Sequence, residues 1–173
     1  MYIETILNNL PGYAKDIKLN LSSLINNHSQ MNEVQFYGTL LASSIASKNE
    51  QLIDIIKEEA LKHLDKQNVY AVYAATALMS MNNIYYRFTD LIEDDSFIKM
   101  PAGLRMNVMR DHGANNTDFE IWSLAVSVIN GCSMCVTAHA KQLQKHEISN
   151  ATIQLTAKIA AIVHALAQVM SHK

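Results

Sequence analysis

Residues 118–146 read DFEIWSLAVSVINGCSMCVTAHAKQLQKH, and this stretch decides the fold. It holds no run of alternating β-branched residues that would mark a strand. Gly131 acts as a helix stop, and after it the chain restarts with Ala, Lys, Gln and Leu, all good helix formers. The stretch therefore predicts two helices, 118–130 and 132–146, folded back on each other at Asn130-Gly131 as an antiparallel hairpin. Outward from it the same composition continues. Only five Gly and two Pro punctuate the whole sequence. Further helices are predicted at 2–9, 12–26, 31–47, 50–64, 68–87 and 150–170. Pro11 separates the first two, and Ser149-Asn150 caps the last. The fold class is all-α.

Segment 88–117 differs. Asp94-Asp95, Pro101, Gly103, Gly113 and Asn115-Asn116 mark an irregular connector, with one short helix around Leu104–Arg110. It divides the chain into halves of about 12–87 and 104–173. A shift of 85 residues aligns these loosely, laying Phe36-Tyr37 on Ile121-Trp122 and the Ala-rich 71–85 on 156–170, as an old duplication would. Residues 1–173 are read as one domain, long enough for a substantial core.

Hydrophobic residues make up 49% of the sequence and charged residues 17%, a globular composition. The net charge is −2 with a pI near 6.4, and no basic stripe appears, which argues against nucleic acid as a partner. The start, Met1-Tyr2-Ile3-Glu4-Thr5, lacks the pattern of a signal peptide. No run of 18 apolar residues occurs. The most apolar stretch, near 157–170, contains Lys158, His164 and Gln168, which argues against a membrane span. The expected compartment is cytoplasmic. A structural disulfide is unusual there, so two cysteines three apart point to redox chemistry or to metal.

Cys132 and Cys135 have a physical logic as a pair. Residues three apart on a helix share a face and can be bridged. At a helix start, free amides and the helix dipole stabilise thiolate. His139 follows Cys135 by four residues; at about 100° per residue the two sulfurs and the imidazole fall within about 60°, and Met134 points the other way. An imidazole on that face can take a thiol proton or stabilise a thiolate. Glu120 lies about 18 Å from Cys132 along a continuous helix, but the hairpin puts about 15 Å of helix back against about 10 Å forward, bringing Glu120 within about one turn of His139. A carboxylate there would fix the imidazole's tautomer and raise its basicity. Glu120–His139–Cys135–Cys132 then forms a proton relay. Two readings of Glu120 stay open, because Thr117-x-x-Glu120 is also a capping box. The cysteines, too, could be inert core residues. His28, His63, His112, His146, His164 and His172 show no such register and receive no role. Met79, Met81 and Met106 read as core packing, and Trp122 as core or subunit interface.

At these residues the sequence resembles the AhpD-like alkylhydroperoxidases. The likeness runs through Phe119-Glu120-x-Trp122, Ile129-Asn130-Gly131-Cys132-Ser133-x-Cys135 and Ala138-His139. It extends to Tyr13–Asn20, Gly38–Ala42, Met81-Asn82-Asn83 and Gly103–Asn107, and so covers nearly the whole chain. The resemblance implies an all-helical subunit with a duplicated core, assembled as a homotrimer, with no bound cofactor or metal. It implies that Cys135 attacks the peroxide and becomes a sulfenic acid, that Cys132 resolves it into a disulfide, and that His139 and Glu120 carry protons. It implies reduction by a dihydrolipoyl group on a dehydrogenase-complex subunit, itself reduced by dihydrolipoamide dehydrogenase, and a main task of re-reducing the peroxiredoxin AhpC. Known members carry His between the cysteines where this chain has Met134. Methionine cannot pass a proton, so direct peroxidase activity is expected to be weaker, while thiol exchange needs only the two sulfurs.

Two other classes compete. Cys132, Cys135 and His139, with Glu120 or water, could be zinc ligands, although a single C-x-x-C is a weak zinc signal. A non-redox enzyme of the related carboxymuconolactone decarboxylase superfamily would share the helical fold, because fold alone does not fix function.

Overall fold

The structure, a computed structural model, describes residues 2–172. In chain order its helices are α1 (Tyr2–Asn8), α2 (Lys15–Asn26), α3 (Glu33–Ser47), α4 (Glu50–Ala60), α5 (Lys66–Leu91), α6 (Asp95–Lys99), α7 (Asn116–Asn130), α8 (Ser133–Lys145) and α9 (Asn150–Ser171), with 3₁₀ turns at Gly12–Ala14 and Asn107–Met109. No strand occurs among the described residues, as the all-α reading requires. The connector holds α6, which the sequence reading left irregular, and the helix expected around Leu104–Arg110 is only the 3₁₀ turn Asn107–Met109. The helix expected at 50–64 stops at Ala60. The one expected at 68–87 runs from Lys66 to Leu91, a continuation that brings Asp90 onto the same rod as Met79 and Arg87.

Short polar side chains set most helix starts. Asn32, Asn49, Asp65 and Ser149 each accept a hydrogen bond from a backbone N–H in the first turn they precede. Asn32 and Gln35 form a reciprocal capping box. Helix α7 ends at Gly131 in the left-handed region (φ 65°, ψ 38°), where the absence of a Cβ removes the steric penalty.

Helix α7 is the centre of the bundle and packs against α3, α5, α8 and α9. Its apolar residues are buried on nearly every side, and Trp122 is fully enclosed, as a core placement requires. Gly38 on α3 makes room for it: a Cβ there would collide with the Trp122 indole ring. Helix α9 is long and apolar enough, by length and composition alone, to cross a membrane, with a mean hydropathy of 1.4 over its best window. Here it packs on α2, α3 and α7 and buries Leu155, Ile159, Val163 and Leu166 among them, as expected of a helix with one face on the core and the other exposed.

Candidate active site

The turn from α7 to α8 is held from outside by α5. Arg87 Nη1 donates to the carbonyl of Asn130 at 2.6 Å, placing a cation at the negative end of α7. The Asn130 amide donates to Asn83 Oδ1 at 3.0 Å, and Asn83 Nδ2 donates to Ser127 Oγ at 2.9 Å. Ser133, the first residue of α8, donates to Asp90 at 2.6 Å. Four contacts from one helix thus fix the loop that carries Cys132.

Cys132 is the N-cap of α8, with extended backbone, and its Sγ accepts from the Cys135 N–H at 3.3 Å. The two cysteines are joined as a disulfide, with Cα atoms 5.3 Å apart. Cys132 is fully buried and Cys135 is 7% exposed. One turn further along α8, His139 Nδ1 lies 2.7 Å from Glu120 Oε2, across the α7–α8 hairpin. The other ring nitrogen, Nε2, lies 3.2 Å from Met79 Sδ on α5. The structure therefore brings together Cys132, Cys135, His139 and Glu120. It also resolves the choice left open at Glu120. Helix α7 is capped by Asn115, whose side chain accepts from the Thr117 N–H at 2.8 Å, so Thr117 is inside the helix and the Glu120 carboxylate is turned to His139.

A chamber of about 320 Å³ opens beside Cys135. Cys135, Ala138, His139 and Met134 from α8 and Met79, Asn82 and Tyr86 from α5 line it, and Met106 and Met109 close it. The wall is almost wholly apolar, which suits an organic molecule better than water. Met134 is a correction. Helical counting from Cys132 aimed it away from the sulfurs, but the helix begins only at Ser133, so Cys132 does not share the count. Met134 and Cys135 start adjacent stripes, continued by Ala138 and His139, and the chamber spans both. Met79 and Met106 were expected only to pack. Met79 is indeed buried, but its sulfur also faces His139, and the Met106 sulfur accepts from Asn82 Nδ2 at 3.1 Å. Asn82, Asn83, Arg87 and Asp90 were not foreseen as site residues. The signal for two of them was there: paired asparagines inside an apolar helix are poor helix formers and costly to bury without partners. Among the described residues, no group of three or more His, Cys, Asp and Glu is arranged to hold a metal ion.

Residues 96–172 match the carboxymuconolactone decarboxylase family. Over nearly its full length the chain is similar to proteins named alkyl hydroperoxide reductase AhpD. It is 45% identical over 170 residues to that of Acidobacterium capsulatum, covering 98% of this chain and 93% of the relative. It is 44% identical over 169 residues to that of Coxiella burnetii, covering 96% of each. To that of Maricaulis maris it is 43% identical over 171 residues, covering 99% of this chain and 98% of the relative. The chain belongs to the AhpD family.

Proposed function

We propose that the protein is an antioxidant, thiol-dependent alkyl hydroperoxide reductase. The observation that carries this reading is the placement of the dithiol: Cys135 is the one sulfur of the pair that borders the chamber, and His139, paired with Glu120, is one turn away. In the reduced protein the Cys135 thiolate attacks the terminal oxygen of ROOH. The O–O bond breaks, the sulfur becomes a sulfenic acid, and the departing alkoxide takes a proton and leaves as ROH. The Cys132 thiol then displaces water from the sulfenic acid and closes the disulfide. The sum is a dithiol and ROOH giving a disulfide, ROH and H2O, with two electrons moved from sulfur to oxygen. His139 supplies and collects the protons, and Glu120 holds its tautomer and charge.

External dihydrolipoyl groups, carried on a dehydrogenase-complex subunit and kept reduced by dihydrolipoamide dehydrogenase, are the proposed reductant. An AhpC-type peroxiredoxin is the proposed recipient of the electrons. With Met134, which cannot pass a proton, between the cysteines, we place the weight on relay by thiol exchange, which needs only the two sulfurs. The same reading takes residues 1–173 as a single AhpD-like domain with repeated halves of about 12–87 and 104–173, working in the cytoplasm as a homotrimer. Tyr70, Tyr73, Ile84, Phe88 and Leu91 form one exposed apolar face of α5, opposite the face that lines the chamber, and supply a surface for that assembly.

The deciding assay follows peroxide consumption with dihydrolipoamide, with and without a purified peroxiredoxin. Cys135→Ser should lower turnover by roughly three orders of magnitude or more; turnover retained in that variant refutes the reading. Signal only in the presence of the peroxiredoxin marks the protein as a relay. An activity that survives loss of both cysteines would instead point to non-redox chemistry of the decarboxylase type.

A further inference from the structure

His139 is held at both ring nitrogens, and the partners differ in kind. Nδ1 faces a carboxylate oxygen at 2.7 Å and Nε2 faces the Met79 thioether at 3.2 Å. A thioether has no hydrogen to give and acts only as a weak acceptor. The Nε2 contact therefore needs an N–H on that nitrogen. The contact to Glu120 also needs one proton between nitrogen and oxygen. Wherever that second proton sits, the Glu120–His139 pair carries one proton more than a neutral imidazole beside a carboxylate. Met79 is 2% exposed, and Asn83 Nδ2 lies 4.0 Å from its sulfur, so the thioether is held in place by burial and by a second contact.

We propose that the Met79 thioether is a positioning residue that holds the Nε2 proton of His139 while Cys135 is bound up in the disulfide, keeping the imidazole loaded for the sulfur it will next protonate. This rests on the reading that an external dithiol reopens the disulfide. A reductant thiolate entering the chamber attacks Cys135 Sγ, the S–S bond breaks, and Cys132 leaves and takes the proton of the reductant's second thiol. The reductant's second thiolate then attacks its own bonded sulfur, and Cys135 leaves as a nascent thiolate that His139 protonates in the same step. That thiolate is a charged acceptor one helical turn from His139, and it outcompetes a neutral thioether for the proton. His139 gives up its Nε2 proton and recovers one from solvent. Two electrons pass from the reductant, which ends as a disulfide, to the protein, which ends as two thiols. A weak acceptor suits this task because it keeps the proton in place without retaining it. The titratable groups around the imidazole are Glu120 from α7, Cys135 from its own helix and Tyr86 from α5.

The test uses the full chain in its disulfide form, reduced by dithiothreitol and followed by trapping of free thiols across about pH 5.5 to 8, the range in which imidazoles change charge. Met79→Leu keeps apolar volume and removes the acceptor; Met79→Gln restores an acceptor oxygen. The Leu variant should reduce about tenfold more slowly with an altered pH profile, a modest share of what general acid catalysis contributes, and the Gln variant should recover to within about twofold of the parent. Nitrogen-15 spectra of the oxidised parent should show a proton on His139 Nε2, with the signal lost to exchange in the Leu variant. An unprotonated Nε2 in the oxidised parent overturns the proposal. So does a Leu variant with unchanged rate and profile, or a Gln variant as slow as Leu. Dithiothreitol replaces the lipoyl reductant here, so absence of lipoyl-dependent turnover would sink the proposed function and leave this result standing.

Discussion

Helices α3, α4 and α5 in the first half and α7, α8 and α9 in the second follow one another at matching spacings, and only the second set carries cysteines. The starts of α3 and α7, Glu33 and Asn116, are 83 residues apart, and so are those of α4 and α8, Glu50 and Ser133. Asn32 and Asn115 cap the first helix of each set. His28 stacks on Phe36 at 3.9 Å between ring centroids, as His112 stacks on Phe119 at 4.0 Å. The first helix of each set ends in the left-handed region, at Lys48 (φ 60°) and at Gly131 (φ 65°). The next helix is capped by Asn49 in one half and by Cys132 in the other, each side chain accepting from the N–H three residues on. At the same spacing Leu52 answers Cys135, Ile56 answers His139 and Tyr37 answers Glu120. The cap position that presents Cys132 thus has a counterpart in the first half at Asn49. The site is made by four side chains of the second half.

The strongest way to break this comparison is to give the second half what the first half has. His139→Ile copies Ile56, which is 1% exposed. It should cut peroxide turnover by about a hundredfold, the low end of a general acid–base contribution, while the helical circular dichroism stays that of the parent. Unchanged turnover by stopped flow would place the proton transfer elsewhere. Next in size is the contact between the halves. Gly38→Ala forces a Cβ into the Trp122 ring, and overpacking of this kind costs about 1–3 kcal/mol. Urea unfolding should show that loss, with the reactivity of Cys135 toward a thiol reagent in the reduced protein left as it was.

This comparison also shows what could be read in advance. Most of the helices, the hairpin and the proximity of Cys132, Cys135, His139 and Glu120 were legible, because helix formers, one Gly stop and a seven-residue C-x-x-C-x-x-x-H spacing are local signals. The Glu120–His139 contact was reachable by length alone. The contribution of α5 was not, because Met79, Asn83, Arg87 and Asp90 reach the site through packing between helices far apart in sequence. The facing of Met134 was missed because counting assumed that Cys132 was helical when it is a cap. The offset of 85 read from composition differs from the 83 residues that separate the starts of the first two helices of each set. Composition matched at 85, whereas caps and stacks match at 83 or 84, and it is those short-range geometries that fix the register.

Where the halves meet, equivalent residues touch. Gln35 and Asp118 occupy the same position in α3 and α7, and Gln35 Nε2 donates to Asp118 Oδ1 at 2.8 Å. Burial pushes the Asp118 carboxyl above the usual carboxylate range, and the Gln35 bond offsets only part of that. A carboxyl raised in the folded state adds stability only below its unfolded value, and that stability is lost as pH rises through the folded one. Asp118→Gln makes the pair symmetric and removes this loss. The variant should gain up to about 1 kcal/mol at pH 7, within the span of one exchanged hydrogen bond, and its advantage should fade as pH falls toward 4. A gain that persists unchanged in acid would show that the charge is not its source.

The smallest effect separates scaffold from chemistry most cleanly. Lys48 and Gly131 end equivalent helices in the same backbone region, yet only Gly131 adopts it without cost, and an added Cβ there meets no neighbour within 4 Å. Any penalty for a side chain at Gly131 is therefore one of backbone conformation and not of crowding. Lys48→Gly should stabilise the fold by a few tenths of a kcal/mol up to about 1, the left-handed penalty less the added entropy of the unfolded chain. Gly131→Lys should cost about 1 kcal/mol or slightly more, and it carries a second consequence. The turn it strains is the one that positions Cys132, so disulfide reduction should change in rate along with stability, whereas in Lys48→Gly stability changes alone. Equal kinetic effects from both substitutions would mean that the dithiol senses the stability of the whole bundle and not the geometry of its own turn.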